Sequence, residues 1–319
     1  MTSSYVPPTY NIDTQHNGTV CLAINNTFVR RILTRLASHT TAKIYPRDGL
    51  CTRISRNKIL KTGRRVHLTE SATMKYLAEN TTIPVPKVYC SFLHKNRAYI
   101  VMERIQGEEL SKAWKNMSKE SIDSILAQLG KIFRQLRALT PPGMGVESCV
   151  GGSLYDSRIP RGNPRFGPFK PIQDFHFWLR QDFTPESLKD REQDQDWHDL
   201  QHMMSEQDGL WSPPTFTHGD LNPCNVIVRE SNVVGIIDWE FSGWYPQYWE
   251  HPPGLAMLQE QNGRKFLTRS LTAHILKCSR WRKFAIDGGE NNFLNYTSRH
   301  EITATHLHHQ QADNHPPTK

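Results

Sequence analysis

The stretch Phe216–Glu240, FTHGDLNPCNVIVRESNVVGIIDWE, constrains the fold more than any other part of the chain. A loop carrying His218, Asp220 and Asn225 runs into an apolar segment, Val226 to Val228. The polar residues Arg229 to Asn232 then predict a turn, and a second apolar segment, Val233 to Ile237, ends on Asp238. Two β-strands joined by a tight turn bring the residue before the first strand beside the residue after the second. Asp220, Asn225 and Asp238 are therefore expected at one end of a small sheet. Two carboxylates and an amide oxygen placed together suit a divalent cation and a phosphate, which points to phosphoryl transfer.

Phosphoryl transfer asks for positioning and charge neutralisation more than covalent chemistry. Asp220 follows Thr217-His218-Gly219, where glycine permits a sharp backbone path, and suits the residue that orients an acceptor hydroxyl and takes its proton. Asn225 can hold magnesium without adding charge, and Asp238 can bridge the metal to the phosphates. Glu240 lies two residues further, on the same side if the strand persists, and suits a second metal or water ligand. A cation is still needed from elsewhere. Lys61 closes a short predicted strand, Ile59 to Lys61, and Glu70 shares a face with Met74 and Leu77 on a helix predicted over Leu68 to Asn80. A carboxylate on an apolar stripe needs a partner, and Lys61 is the nearest candidate; the bland alternative puts Glu70 at the helix's solvent edge.

Upstream, residues 1 to 24 are polar with little to bury. Phe28, Val29, Ile32, Leu33 and Leu36 then predict a short amphipathic helix capped by Asn26 or Thr27. The prolines in Thr82 to Lys87 cannot continue a helix, and two strands follow, Val88 to Phe92 and Ala98 to Glu103. From Met102 to Gly107 onward the chain reads helical. Ser118 caps a helix whose stripe runs from Ile122 to Leu139, residues 141 to 172 read as an ordered loop over the surface, and a helix begins near Ile172. Between Gln181 and Leu210 nine acidic residues face two basic ones, the pattern of a solvated acidic face or loop. A helix is expected over Leu267 to Ile286 and disorder from Asn291. The expected division is a polar segment 1–24, a nucleotide-binding lobe 25–103, a catalytic lobe 104–290 and a disordered tail 291–319.

The net charge of +8 raises nucleic acid as a partner, but no basic stripe or nucleic-acid motif is present, so none is expected. No apolar run is long enough to span a membrane, and the first residues lack the form of a signal peptide, so an intracellular, cytoplasmic protein is expected. Six scattered cysteines without a C-x-x-C pair fit reduced thiols.

The joint pattern H-x-D-x-x-x-x-N, strand, turn, strand, D-x-E resembles the catalytic segment of the aminoglycoside phosphotransferase and choline kinase family, particularly its fungal members. KTGRRVHLTES, TTIPVPKVY, YIVMERIQGEEL and FGPFKPIQDFHFWL resemble that group in the same order. The resemblance covers roughly Gly49 to Glu250. It implies an α+β, two-lobed protein-kinase-like fold: a small β-sheet lobe, a hinge and a larger helical lobe, with ATP between them. It also implies Asp220 as catalytic base, His218 as brace of the catalytic loop, Asn225 and Asp238 as magnesium ligands, Lys61 as phosphate-binding lysine and Glu70 as its helix partner. Met102, Glu103 and Ile105 fall in the stretch that resembles the adenine-binding hinge. Gly49 falls in the phosphate-covering loop, which lacks the further glycines of typical kinases. The implied function is an ATP- and Mg2+-dependent kinase acting on a small-molecule hydroxyl acceptor. The sparse glycine loop and the unfamiliar chain after Glu250 also admit a nucleotide-binding pseudokinase acting as an interaction module.

Overall fold

The computed structural model describes residues 8–45, 47–184, 186 and 195–249. Its first half is an antiparallel five-stranded sheet of β1 (Arg47–Asp48), β2 (Cys51–Ser55), β3 (Lys58–Gly63), β4 (Val88–Leu93) and β5 (Ala98–Glu103), in the order β1-β2-β3-β5-β4. Two helices accompany it, α1 (Phe28–His39) and α2 (Leu68–Asn80). The strand and helix predicted around Lys61 and Glu70 are both present. His67 caps α2, its ring accepting the Thr69 amide, and Leu68, Met74 and Leu77 enter the core beside Ile100.

Thr27 caps α1, accepting the amide of Arg30 at 3.4 Å. The helix turns its polar side to the sheet: Thr34 is buried and Arg30 donates to the Tyr89 carbonyl at 2.9 Å. Its apolar stripe of Phe28, Val29, Ile32, Leu33 and Leu36 is 46% to 76% exposed.

The N-terminal segment buries more than its polarity suggests. Gln15 and His16 are both buried, each bonded to the Arg64 carbonyl, at 2.8 and 3.0 Å. Ile24 exchanges two backbone bonds with Ser91 on β4. Polar side chains enter the interior here because every one of these bonds ends on a backbone carbonyl or amide that would otherwise be orphaned.

After β5 come β6 (Glu108–Glu109), α3 (Leu110–Ala113), α4 (Lys119–Ala138), α5 (Ile172–Leu179), α6 (Gln195–Asp208), β7 (Thr215–Thr217), β8 (Val226–Arg229), β9 (Asn232–Ile236) and β10 (Gly243–Tyr245). The predicted hairpin is β8–β9, joined on its other side by β6, while β7 pairs with β10 in a second small sheet. Ser118 caps α4, and Ile125, Leu129, Ile132 and Leu136 are buried against the hairpin and β7. The whole is a mixed helix-and-sheet fold with an N-terminal antiparallel sheet.

One expectation is corrected. The Gly- and Pro-rich segment 141–172 is not a surface loop: Val146, Leu154, Asp156, Ile159, Arg165, Phe166 and Phe169 are buried, and bridges Val146–Phe169 and Leu154–Phe166 fold it on itself. Its rings stack with α5, Phe166 on Trp178 at 5.1 Å, so aromatic packing replaces regular secondary structure. The acidic segment contains α6, which buries Leu200, Met203, Met204 and Gln207 at helical spacing while Asp199, Glu206 and Asp208 are exposed, in keeping with the expected acidic face. The helix expected at Leu267 to Ile286 and the tail from Asn291 lie outside the described residues. Cys21, Cys51, Cys90, Cys149 and Cys224 are free thiols. Among the described residues no helix is long and apolar enough to cross a membrane.

Candidate active site

The β8–β9 hairpin gathers the two ends of the motif. Val226 pairs with Ile236, and the Ile237 amide donates to the Asn225 carbonyl at 3.0 Å, which sets Asp238 beside the start of the hairpin. His218 holds the other approach. Its Nδ1 accepts the Asp220 amide at 3.2 Å, so its proton sits on Nε2, which donates to the Ile237 carbonyl at 2.9 Å. Burial lowers the His218 pKa to about 4. The neutral ring therefore ties the Asp220 loop to the residue before Asp238. Gly219 makes the approach possible: its φ is +84°, and a Cβ would lie 2.6 Å from the Phe241 carbonyl oxygen.

Asn225 directs its amide nitrogen at Asp220, 2.8 Å from the carbonyl and 3.2 Å from Oδ2. That leaves the amide oxygen turned away from Asp220. The Asp220 side chain reaches solvent, yet the surrounding protein raises its pKa, an effect restrained by Asn222, Arg158 and Asn225 and reinforced by Asp238.

The strand does not persist through Asp238, as the placing of Glu240 had assumed. β9 ends at Ile236, Asp238 takes a left-handed conformation (φ 65°, ψ 60°), and residues Trp239–Phe241 form a 3-10 turn. Aspartate tolerates this region better than most residues, at a cost of about 1 kcal/mol or more. The turn still delivers Glu240 to the same place as Asp238. Lys61 Nζ lies 2.7 Å from Asp238 Oδ1, 3.1 Å from Glu240 Oε2 and 2.9 Å from Glu70 Oε1. Glu70 is buried, so the reading that partners it with Lys61 holds over the solvent-edge alternative. Ser242 closes the frame, its hydroxyl 3.1 Å from Thr73 on α2 and 2.6 Å from the Trp239 carbonyl.

One ammonium thus faces three carboxylates, a local excess of two negative charges. Burial alone would lower the Lys61 pKa, but Glu70, Glu240 and Asp238 together hold it well above the ordinary lysine value. Burial pushes Glu70 up to about 7 against the pull of Lys61, and the second Glu70 oxygen has no hydrogen-bond partner. Burial likewise raises Glu240.

This donor set fits magnesium. Among the described residues no group of three His, Cys, Asp or Glu is placed to hold a metal by itself. Magnesium is commonly held by one or two carboxylates together with substrate phosphates and water. Asp238, Glu240 and the free side of Asn225 supply hard oxygens of that kind, and the excess negative charge calls for a cation.

Gly49 sits in the turn between β1 and β2 with φ +53°, two residues before Cys51, the cross-strand partner of Lys61. In the hinge stretch Met102 pairs with Ile59 and Val88 within the sheet. The Glu103 amide donates to Lys87 and the Arg104 amide to Asn57. Ile105 packs its side chain over Gly235.

The buried segment 141–172 adds residues that the sequence reading missed. Arg158 donates from Nη2 to the Gly219 carbonyl at 2.9 Å and pairs with the buried Asp156 through Nε at 2.8 Å and Nη2 at 2.5 Å. Arg165 donates to Ser153 and, at 3.1 Å, to Thr69, the residue before Glu70. The available signal was the segment's four basic residues against two acids.

The model of the family described as "Phosphotransferase enzyme family" matches residues 59–273, 215 of the 319. The chain belongs to that family. A subtelomeric hrmA-associated cluster protein of Aspergillus fumigatus is 32% identical over 94 residues, 28% of this chain and 17% of that protein. The chain thus spans about a sixth of the length of the curated relative it matches there. Aminoglycoside phosphotransferase APH(3'')-Id from Streptomyces rimosus, solved with ADP and streptomycin, is similar at 15% identity and a TM-score of 0.44, over 84% of this chain and 94% of that one. A thermostable mutant of aminoglycoside phosphotransferase APH(4)-Ia, solved with AMP-PNP and hygromycin B, is similar at 12% identity and a TM-score of 0.45, over 76% and 77%.

Proposed function

We propose that this phosphotransferase moves the γ-phosphate of ATP to a hydroxyl of a small molecule, with magnesium. The observation that carries the reading is the meeting of Lys61, Glu70, Asp238 and Glu240 within 3.1 Å of the lysine, at the same end of the hairpin as Asp220 and Asn225. Residues 25–103 act as the nucleotide lobe and 104–290 as the catalytic lobe of a two-lobed, kinase-like molecule. The backbone of Ile105 is the best-placed adenine partner, because the neighbouring Glu103 and Arg104 amides are committed. The β1–β2 turn at Gly49 covers the phosphates.

The acceptor oxygen forms the new bond to the γ-phosphorus as the bond from that phosphorus to the β-phosphate oxygen breaks, and ADP leaves. Asp220 orients the hydroxyl and takes its proton, a role its raised pKa favours, since a stronger base accepts more readily. Bound magnesium would neutralise phosphate charge as it passes to the leaving group. Asp238, Asn225 and Glu240 would hold it. Lys61, fixed by Glu70, binds the phosphates and on doing so exchanges part of its carboxylate contact for them.

Nothing favours the pseudokinase reading over this one: the base, the lysine and the acidic ligands all stand together. A cytoplasmic setting, with ATP abundant and thiols reduced, suits the free cysteines. The test is thermal shift with ATP and magnesium, together and apart, followed by ATP consumption across hydroxylated acceptors. Magnesium-dependent stabilisation by ATP and acceptor-dependent consumption are expected; no response to the pair would rule the reading out.

A further inference from the structure

The acceptor hydroxyl must meet Asp220, so the groups around that carboxylate report on the acceptor. Arg158 is the cation there. Its Nη2 holds the carbonyl of Gly219, the residue before Asp220, and the two side chains interact electrostatically, each favouring the other's charged form. Asp156 takes Nε and the same Nη2, and no bond to Nη1 joins it to any described residue. The Arg158 side chain is 34% exposed while Asp156 is fully buried, and the Arg158 guanidinium lies over the Trp249 ring, 5.7 Å from the centroid. A guanidinium held in this way is preorganised for a second oxyanion.

Arg165 strengthens the local positive field. It is buried, makes its bonds to Ser153 and Thr69, and has no carboxylate within ion-pair distance among the described residues. Arg158 and Arg165 both interact electrostatically with Tyr245 of β10. Arg161, by contrast, is taken up by Asp182 at 2.6 Å. Segment 141–172 carries Arg158, Arg161, Arg165 and Lys170 against Glu147 and Asp156. A wall of this sign repels a polyamine and attracts an acid.

We infer that the acceptor is a hydroxylated anion, whose carboxylate or phosphate is received by Arg158 Nη1 while its hydroxyl meets Asp220. This rests on the phosphotransferase reading above and names the substrate class for that site. Arg158 is then a specificity-determining residue that touches the acceptor.

The experiment is ATP consumption by the full chain over matched acceptors of one carbon skeleton: a neutral alcohol, the hydroxycarboxylate, the hydroxyalkyl phosphate and an amino alcohol, with polyamine sugars as a further arm. The anionic members should give the highest kcat/KM, and comparing the carboxylate and phosphate arms identifies which oxyanion is taken. Arg158→Gln should raise KM for the anion about 10- to 100-fold, leaving KM for ATP nearly unchanged and lowering kcat/KM for the neutral alcohol far less than for the anion. Because Arg158→Gln strands the buried Asp156, the double variant Asp156→Asn/Arg158→Gln and the conservative Arg158→Lys are run beside it, Lys restoring part of the anion preference. Preference for neutral or cationic acceptors, or an equal fall in kcat for every acceptor, would overturn the inference while leaving the kinase reading in place. Magnesium-dependent ATP binding with no anionic acceptor consumed also counts against it. Absence of magnesium-dependent ATP binding would remove the kinase reading itself, and the inference with it.

Discussion

Lys61 and Asp220 stand at the same end of one hairpin in opposite surroundings. Lys61 is 7% exposed and crowded by three carboxylates, two of them reaching it from a turn some 180 residues away in sequence. Asp220 is exposed, held through its backbone by His218 and Gly219, and faces an arginine. The first region is assembled by charge and forms part of what holds the chain together. The second is assembled mainly by backbone, and its side chain, bonded by Asn225 at 3.2 Å, reaches solvent. The same substitution logic should therefore give different outcomes at the two places.

Lys61→Met should produce the largest effect, because it removes the one cation facing three carboxylates, of which Glu70 is buried. A loss of about 3–5 kcal/mol in stability is expected, together with loss of phosphate transfer. Chemical denaturation and turnover measured on the same preparation check both; an inactive variant of unchanged stability would mean that the carboxylates do not depend on the lysine. Asp220→Asn should separate the two quantities. Turnover falls about 10²- to 10⁴-fold, while the melting temperature and magnesium-dependent ATP binding stay close to wild type. Wild-type turnover would remove Asp220 as the base, and a large fall in melting temperature would show that the two regions are not distinct.

The contrast also explains what could be read in advance. The hairpin, α2 and the sheet strands were legible because apolar periodicity and turn chemistry are local. The partnership of Lys61 with Glu70 was half legible: spacing put Glu70 on the apolar stripe, but only the fold excludes water from it. The path of Asp238 was not legible, since a left-handed aspartate leaves no pattern in composition. Segment 141–172 was misread because Gly and Pro mark irregular backbone and say nothing of burial, and its aromatic residues needed α5 to pack against. Helices α1 and α4 show the same limit. Both have clear stripes, yet that of α4 is buried and that of α1 faces solvent, because periodicity identifies a face without identifying what covers it. Segment 141–172, the proposed acceptor side, was thus read least well, having the weakest local signal.

Glu70→Gln tests whether the Lys61 group is short of positive charge. The folded-state pKa of Glu70, about 7, lies above its ordinary 4.5. Its contribution to stability is therefore complete below about pH 4.5 and is lost as pH rises through 7. Glutamine stays neutral throughout. Without nucleotide or divalent cation, the variant should gain on wild type between pH 5 and pH 8, by about 1–3 kcal/mol. His218 has the opposite sense: its pKa of about 4 lies below the ordinary 6.5, so its contribution is lost as pH falls through 4, and comparison with Glu70→Gln cancels it. A variant that instead loses ground as pH rises would show that attraction to Lys61 outweighs the burial of Glu70.

The smallest effect is expected at the joint that fixes Glu240 and Asp238 to α2. Ser242 is buried, and its hydroxyl links the turn after Asp238 to Thr73, one helical turn beyond Glu70. Ser242→Ala removes that link with almost no change of volume and should cost about 1 kcal/mol. The consequence should be one-sided. With Asp238 and Glu240 less firmly held, KM for magnesium-ATP should rise a few fold, while KM for the acceptor stays constant, because the Asp220 loop is positioned by His218 and Arg158 and does not depend on Ser242. Initial rates varied in each substrate at saturation of the other measure this directly. Equal rises in both constants would show that one rigid frame serves both sides, and the division between a charge-built and a backbone-built half of the site would have to be abandoned.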